Sequence, residues 1–111
     1  MIKALKNRGA GLVTVNSGQH TDLLLPLFDL FKIRPTHNLD AMRPGQSLNM
    51  LGSRLLEQLD PVMEAEKPDL VLVQGDTATA VMGSMAAFNR KIPVGHLEAG
   101  LRSGNPLSPF P

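Results

Sequence analysis

Three polar segments interrupt the apolar runs of this sequence, and each holds side chains that could do chemistry. "QGDTATA" puts Asp76 directly after an apolar run and before a run of small residues. "GHLEAGLRSG" sets His96 and Glu98 two residues apart, with Arg102 four residues beyond. "SGQH" places Gln19 and His20 behind Gly18. A carboxylate at a strand end can move protons once burial and neighbouring charges tune its pKa. It can equally cap a helix by accepting free backbone N–H groups, and Asp76 fits both roles. His96 and Glu98 share a face of a strand, because side chains alternate with period two. Glu98 is then either a proton-moving carboxylate or the partner of Arg102 in a structural ion pair. His96 by itself reads as a hydrogen-bonded structural histidine sooner than as a catalyst. Gln19 and His20 read first as turn and capping chemistry. Arg43 in "MRPGQSL" reads as a solvated loop arginine that could also hold a phosphate or carboxylate.

Composition closes off several alternatives. The chain has 111 residues, enough for one ordinary domain and too few for two. Hydrophobic residues at 42% and charged residues at 19% suit a globular protein and argue against disorder. The 11 basic and 10 acidic side chains are interleaved to a net charge of +1, so a nucleic-acid partner is not expected. With no tryptophan or tyrosine, aromatic platforms for stacked bases are scarce. Absence of cysteine removes disulfides, thiolate metal sites and thiol nucleophiles together, and fits a cytoplasmic location. The stretch from Leu23 to Phe28 is far too short to cross a bilayer, so no membrane partner is expected either. No G-x-G-x-x-G follows a strand, and no P-loop lysine or G-x-S-x-G elbow is present. His20, His37 and His96 show no metal-like spacing.

The elements that must position these residues alternate. A short helix over residues 1–8 closes at Gly9, and a β-branched run over 11–18 stops at Gly18. Thr21 can cap a helix reaching about Ile33, with Leu23, Leu24, Leu27, Phe28, Leu30 and Phe31 on one wide apolar face and Pro26 inside it. A brief strand is expected near His37–Leu39. The apolar positions from Gln46 to Glu66 follow the helical period, and Asp60-Pro61 should bend or break that helix near its last turn. "LVLVQ" (70–74) reads as a strand covered on both faces, "TATAVMGSMAAFN" as a closely packed helix, and "IPVGHLEAG" (92–100) as a further strand. Alternation of this kind defines the α/β class with a parallel sheet. Ligands of such sheets bind beyond the carboxyl ends of the strands, where all three polar segments fall.

Taken in order, "SGQH", "MRPGQSL", "KPDLVLVQGDT" and "IPVGHLEAGLRSGN…SPFP" closely resemble the non-hydrolysing UDP-N-acetylglucosamine 2-epimerases over nearly the whole chain. The resemblance implies two Rossmann-like domains arranged as in B-type glycosyltransferases, with the active site between them. It implies interconversion of UDP-N-acetylglucosamine and UDP-N-acetylmannosamine through elimination of UDP, a 2-acetamidoglucal intermediate and re-addition of UDP. No cofactor and no essential metal are implied, and the intact enzyme is expected to be a homodimer. Asp76 and Glu98 match the family's two active-site carboxylates here, with His96 and Arg102 as companions at the substrate. Gln19 and His20 match part of a regulatory UDP-sugar site, while Asp22 and Gly45 depart from the residues found there in some members. The hydrolysing sister activity and a non-catalytic module that pairs with a partner chain are the alternatives.

Members of that family open with a strand and a "GTRPE"-like loop, and continue past "SPFP" with a glutamate pair. Against that pattern residues 1–111 read as an incomplete N-terminal Rossmann-like domain, without its first strand, its end or the second domain. That first strand lies at the sheet centre, so its loss leaves two half-sheets facing a gap, with unpaired backbone groups. Marginal stability is the expectation for such a piece, since each lost hydrogen bond removes about 1 kcal/mol.

Overall fold

The computed structural model describes residues 1–19, 21–98, 103–105 and 107–108. In chain order the elements are α1 (Ile2–Asn7), β1 (Val15–Asn16), α2 (Thr21–Phe31), β2 (His37–Asn38), α3 (Leu48–Glu66), β3 (Val71–Gln74), α4 (Ala78–Asn89) and β4 (Val94–Leu97). The alternation is that of an α/β protein, and both strand pairs among the described residues are parallel.

The longest element, α3, starts where the Ser47 hydroxyl accepts the Met50 N–H at 3.2 Å. Leu51, Leu55, Leu59 and Met63 recur every fourth residue and bury one stripe of it. The stripe packs against α4, where Ala86 and Ala87 are small enough to admit it closely. Leu55 is fully enclosed at the centre of this contact. At the far end, Arg90 after α4 grips Asp60 of α3 through Nε and Nη2, the Nη2–Oδ2 distance being 2.8 Å, and Nη2 also reaches Glu64 at 3.2 Å. The expected break at Asp60-Pro61 does not occur, because α3 runs on through Pro61 to Glu66. Proline withholds one N–H from the helix, yet Leu59 and Met63 on either side of it are both held in the core. A left-handed Lys67 then ends the helix, its N–H returning to the Met63 carbonyl at 3.0 Å.

Two short parallel ladders share the described residues. One pairs Val15 with His37 and Asn16 with Asn38, and the other runs from Val71↔Val94 to Gln74↔Leu97. The ladders do not hydrogen-bond to each other. Between β1 and β3 lies an open groove of about 890 Å³, whose apolar walls include Val13, Val15, Leu70 and Leu72. The reading of β3 as covered on both faces is therefore corrected. Val71 and Val73 are half-buried on the α4 side, while Leu70 and Leu72 are exposed on the other, where the described chain supplies no cover. The wide apolar face of α2 is likewise only partly used. Leu24 and Phe28 line the groove, whereas Leu23 and Leu30 stand about 70% exposed, with none of the described elements packed over them.

Two outcomes follow from the α3–α4 contact. Leu55→Ala removes the most enclosed large side chain and should lower the unfolding free energy by about 2–5 kcal/mol, read from the urea midpoint. The Arg90 guanidinium, by hydrogen bonding, holds the Asp60 carboxyl below its ordinary range. Its folded pKa thus lies under the unfolded value, so the stabilisation is present above about pH 4 and is lost as pH falls through the folded pKa. The urea midpoint should drop on acidification below about pH 4, and less steeply in Asp60→Asn.

Candidate active site at the carboxyl edge of the strands

β1 and β3 each end in a turn made by a left-handed glycine, Gly18 and Gly75. At the end of β1, Ser17 is buried and Gly18 adopts a left-handed backbone. A side chain at Gly18 would meet the Asp40 Cα at 3.2 Å, so only glycine allows this close crossing of the two loops. The turn delivers Gln19 to the first turn of α4, where its Oε1 accepts the Thr79 N–H at 3.1 Å and the Thr79 hydroxyl at 2.7 Å. Ser17 Oγ lies 2.8 Å from the same hydroxyl. The carboxyl ends of β1 and β3 are thereby brought to one edge.

At the end of β3, Gly75 (φ +79°) turns the chain out of the ladder. Its N–H still bonds the Leu97 carbonyl at 2.9 Å, and its carbonyl lies 2.7 Å from His96 Nε2. A carbonyl only accepts, so Nε2 carries the hydrogen. His96 thus has the structural partner that its residue type suggested, and it fastens the tip of β4 to the turn before Asp76. Asp76 itself is exposed. It is not the helix cap: Thr77 is, with its hydroxyl accepting the Ala80 N–H at 3.3 Å. Thr77 thus serves the Ala80 N–H and Gln19 the Thr79 N–H, two of the donors in the first turn of α4, while Asp76 before them is exposed.

Glu98 is the first residue past β4 and is also exposed. Continuing the parallel register beyond Gln74↔Leu97 sets it beside Gly75, one residue before Asp76. The two carboxylates therefore stand at the same edge of adjacent strands. His20 and Arg102 lie outside the described residues, and with Arg102 the ion pair expected for Glu98. Arg43 turns back on its own loop, donating from Nη1 to the carbonyl oxygens of Asp40 and Met42, each at 2.7 Å. Among the described residues no group of three His, Asp or Glu side chains could hold a metal ion, and no helix is long and apolar enough to cross a membrane. Sequence reasoning missed Thr77 as the cap, although a threonine before a helix-forming run is a capping signal. It also missed Ser17 and Thr79, for which no local signal exists, since they meet across 62 residues.

In parallel α/β units ligands bind beyond the carboxyl ends of the strands, the edge that Asp76 and Glu98 follow. Comparison with known proteins narrows this. Residues 3–111 match the family model described as UDP-N-acetylglucosamine 2-epimerase. The UDP-N-acetylglucosamine 2-epimerase of Yersinia pestis is 50% identical over 95 residues, which are 86% of this chain and 25% of that protein. A crystal structure of a UDP-N-acetylglucosamine 2-epimerase superposes with a TM-score of 0.88 at 42% identity, over 99% of this chain and 30% of the other. The Neisseria meningitidis enzyme bound to UDP-GlcNAc gives a TM-score of 0.76 at 45% identity, over 87% of this chain and 27% of the other. The chain belongs to the UDP-N-acetylglucosamine 2-epimerase family, whose two-domain, B-type glycosyltransferase-like fold it represents in part. It spans about a quarter of the length of the curated relatives it matches.

Cap and acid can be told apart by stability. Thr77→Ala should cost about 1 kcal/mol in urea unfolding, whereas Asp76→Asn should change it by about 0.5 kcal/mol or less. The reverse order would make Asp76 the cap.

Proposed function

We propose that this chain supplies part of the sugar site of an enzyme that interconverts UDP-N-acetylglucosamine and UDP-N-acetylmannosamine, with Asp76 and Glu98 as its acid and base groups. The supporting observation is the placement of two exposed carboxylates at the carboxyl ends of hydrogen-bonded parallel neighbours, in a chain of this family. The relative bound to UDP-GlcNAc supports the substrate class. Loss of the C2 proton and departure of UDP from C1 leave a C1=C2 double bond. Return of UDP to C1 and of a proton to the opposite face of C2 gives the epimer. Neither the elimination nor the addition transfers a hydride, so the cycle calls for no nicotinamide. Each proton transfer needs a positioned acid or base, and the departing diphosphate needs positive charge or N–H donors.

In this reading His96 and Arg102 contact the substrate, and Gln19 and His20 border a regulatory UDP-sugar site. Residues 1–111 form part of an N-terminal Rossmann-like domain whose second domain grips the UDP. The groove between β1 and β3 takes a further parallel strand. Support for that strand lies in the hydrogen-bond alternation: Val71 and Gly75 donate toward β4, which turns the main-chain groups of Leu72 and Gln74 toward the groove. The intact enzyme would be a cytoplasmic homodimer serving cell-envelope polysaccharide synthesis.

The test is reconstitution. The 111-residue chain alone should show no turnover of UDP-N-acetylglucosamine. Co-expressed with the complementary segments of a full-length relative, it should produce UDP-N-acetylmannosamine, not UDP plus free N-acetylmannosamine. In that assembly Asp76→Asn or Glu98→Gln should lower kcat by about 10²–10⁴. Full activity in both variants would remove the assignment, and free sugar as product would move the chain to the hydrolysing class.

A further inference from the structure

The carboxyl edge holds a closed polar ring that joins the two half-sheets. The Gln19 N–H donates to Ser17 Oγ at 3.3 Å, Ser17 Oγ lies 2.8 Å from Thr79 Oγ1, and Thr79 Oγ1 lies 2.7 Å from Gln19 Oε1. Donor counting fixes the directions. Thr79 has one hydroxyl hydrogen, and the amide oxygen of Gln19 can only accept, so that hydrogen goes to Gln19. Ser17 accepts from the Gln19 backbone and gives its own hydrogen to Thr79. The Thr79 N–H adds a second bond to the same amide oxygen. Each hydroxyl in the ring donates once and accepts once. Ser17 is only 7% exposed, while Gln19 and Thr79 are half-buried at the margin of the groove.

Away from the ring, the half that holds β1 and β2 is joined to the other by Ala41 and Leu39 in the core, by Arg54 on the Ala41 carbonyl and by His37 on Glu66. Among the described elements neither β1 nor β2 packs against β3 or α4. The same groove that separates them is lined at its polar end by Ser17, Gln19, Gln74, Thr77 and Thr79. Thr79 is three residues past Asp76 and inside the first turn of α4.

We propose that Gln19 is a positioning residue. Its amide oxygen clamps the first turn of α4 to the end of β1, across the gap, and so sets where the Gly75–Asp76–Thr77 turn stands relative to the β1 side of the site. The role rests on the catalytic reading of Asp76 only for its consequence; the clamp itself is a property of the fold.

The experiment contrasts Gln19→Glu with Gln19→Met in the 111-residue chain, by hydrogen exchange at the Thr79 amide. Glutamate keeps an acceptor oxygen and adds a charge favoured at a helix N-terminus. Methionine keeps length and volume but loses the acceptor. Protection at Thr79 should fall about tenfold in Gln19→Met, the equivalent of one ordinary hydrogen bond, and persist in Gln19→Glu. A role in packing alone gives the opposite order, with Met retained and Glu lost, and overturns the proposal, as does unchanged protection in Gln19→Met. If Gln19→Met does not fold, Thr79→Val against Thr79→Ser decides instead. Loss of protection at residues 80–82 in Val but not in Ser supports the ring, and equal protection in both overturns it. In the reconstituted enzyme Gln19→Met should lower kcat with KM nearly unchanged, and Gln19→Glu should restore it. Absence of any activity in that assembly bears on the catalytic reading alone, because the exchange data stand independently.

Discussion

Leu55 lies fully enclosed where α3 meets α4, and the rest of the structure hangs on that contact. Leu51, Leu59 and Met63 extend it along one stripe, and Ala86 and Ala87 let the helices approach. Because β3 packs on α4 and β4 pairs with β3, the helix pair carries the ladder whose ends hold Asp76 and Glu98. Among the described residues, the other half contributes Ala41 and Leu39, just past β2, to the same core. The acids therefore owe their position to an apolar contact on the far side of the sheet, not to any interaction between themselves.

The second governing feature is the division of the sheet. Two parallel ladders with facing, unpaired edges leave Val13, Val15, Leu70 and Leu72 lining an open groove. Buried main-chain polar groups must be paired, so such an edge is satisfied by water or by another strand. At the carboxyl end the Ser17–Gln19–Thr79 ring crosses the division, and at the other end His37 meets Glu66 at 2.7 Å. Polar bridges at the two margins of the groove stand in for the continuous ladder of an ordinary parallel sheet. They are directional and short in reach, which makes them good at fixing position and poor at supplying stability.

The loop chemistry at the edge shows a division of labour among neighbouring residues. Gly75 supplies the left-handed turn, Thr77 the cap, and His96 a hydrogen bond that fastens the turn to β4. Asp76 is released from all three tasks and remains exposed to solvent. A carboxylate committed to capping would have its lone pairs taken by N–H groups, which lowers its basicity and its freedom to reach a ligand. Its neighbour's hydroxyl does that work instead.

Local pattern in the sequence determined the alternation of helices and strands, the helical stripe of α3, the turns at Gly9, Gly18 and Gly75, and the three polar segments at strand ends. These are properties of residues close in the chain, where periodicity, glycine and β-branching act directly. The motifs "GDT" and "GHLEAGLRSG" carried the family. Sequence pattern misplaced what depends on distant neighbours. Pro61 does not break α3, because packing at Leu59 and Met63 outweighs one missing donor. Leu70 and Leu72 are exposed although their run reads as buried, because hydrophobicity records what a face prefers and not whether a partner covers it. The clamp of Gln19 on Thr79 joins residues 60 apart, and no local rule could pair them. Only the tertiary structure decided which hydroxyl caps α4, which face of β3 is bare and what bridges the divided sheet, since each is set by contacts between segments whose approach no single stretch of sequence encodes.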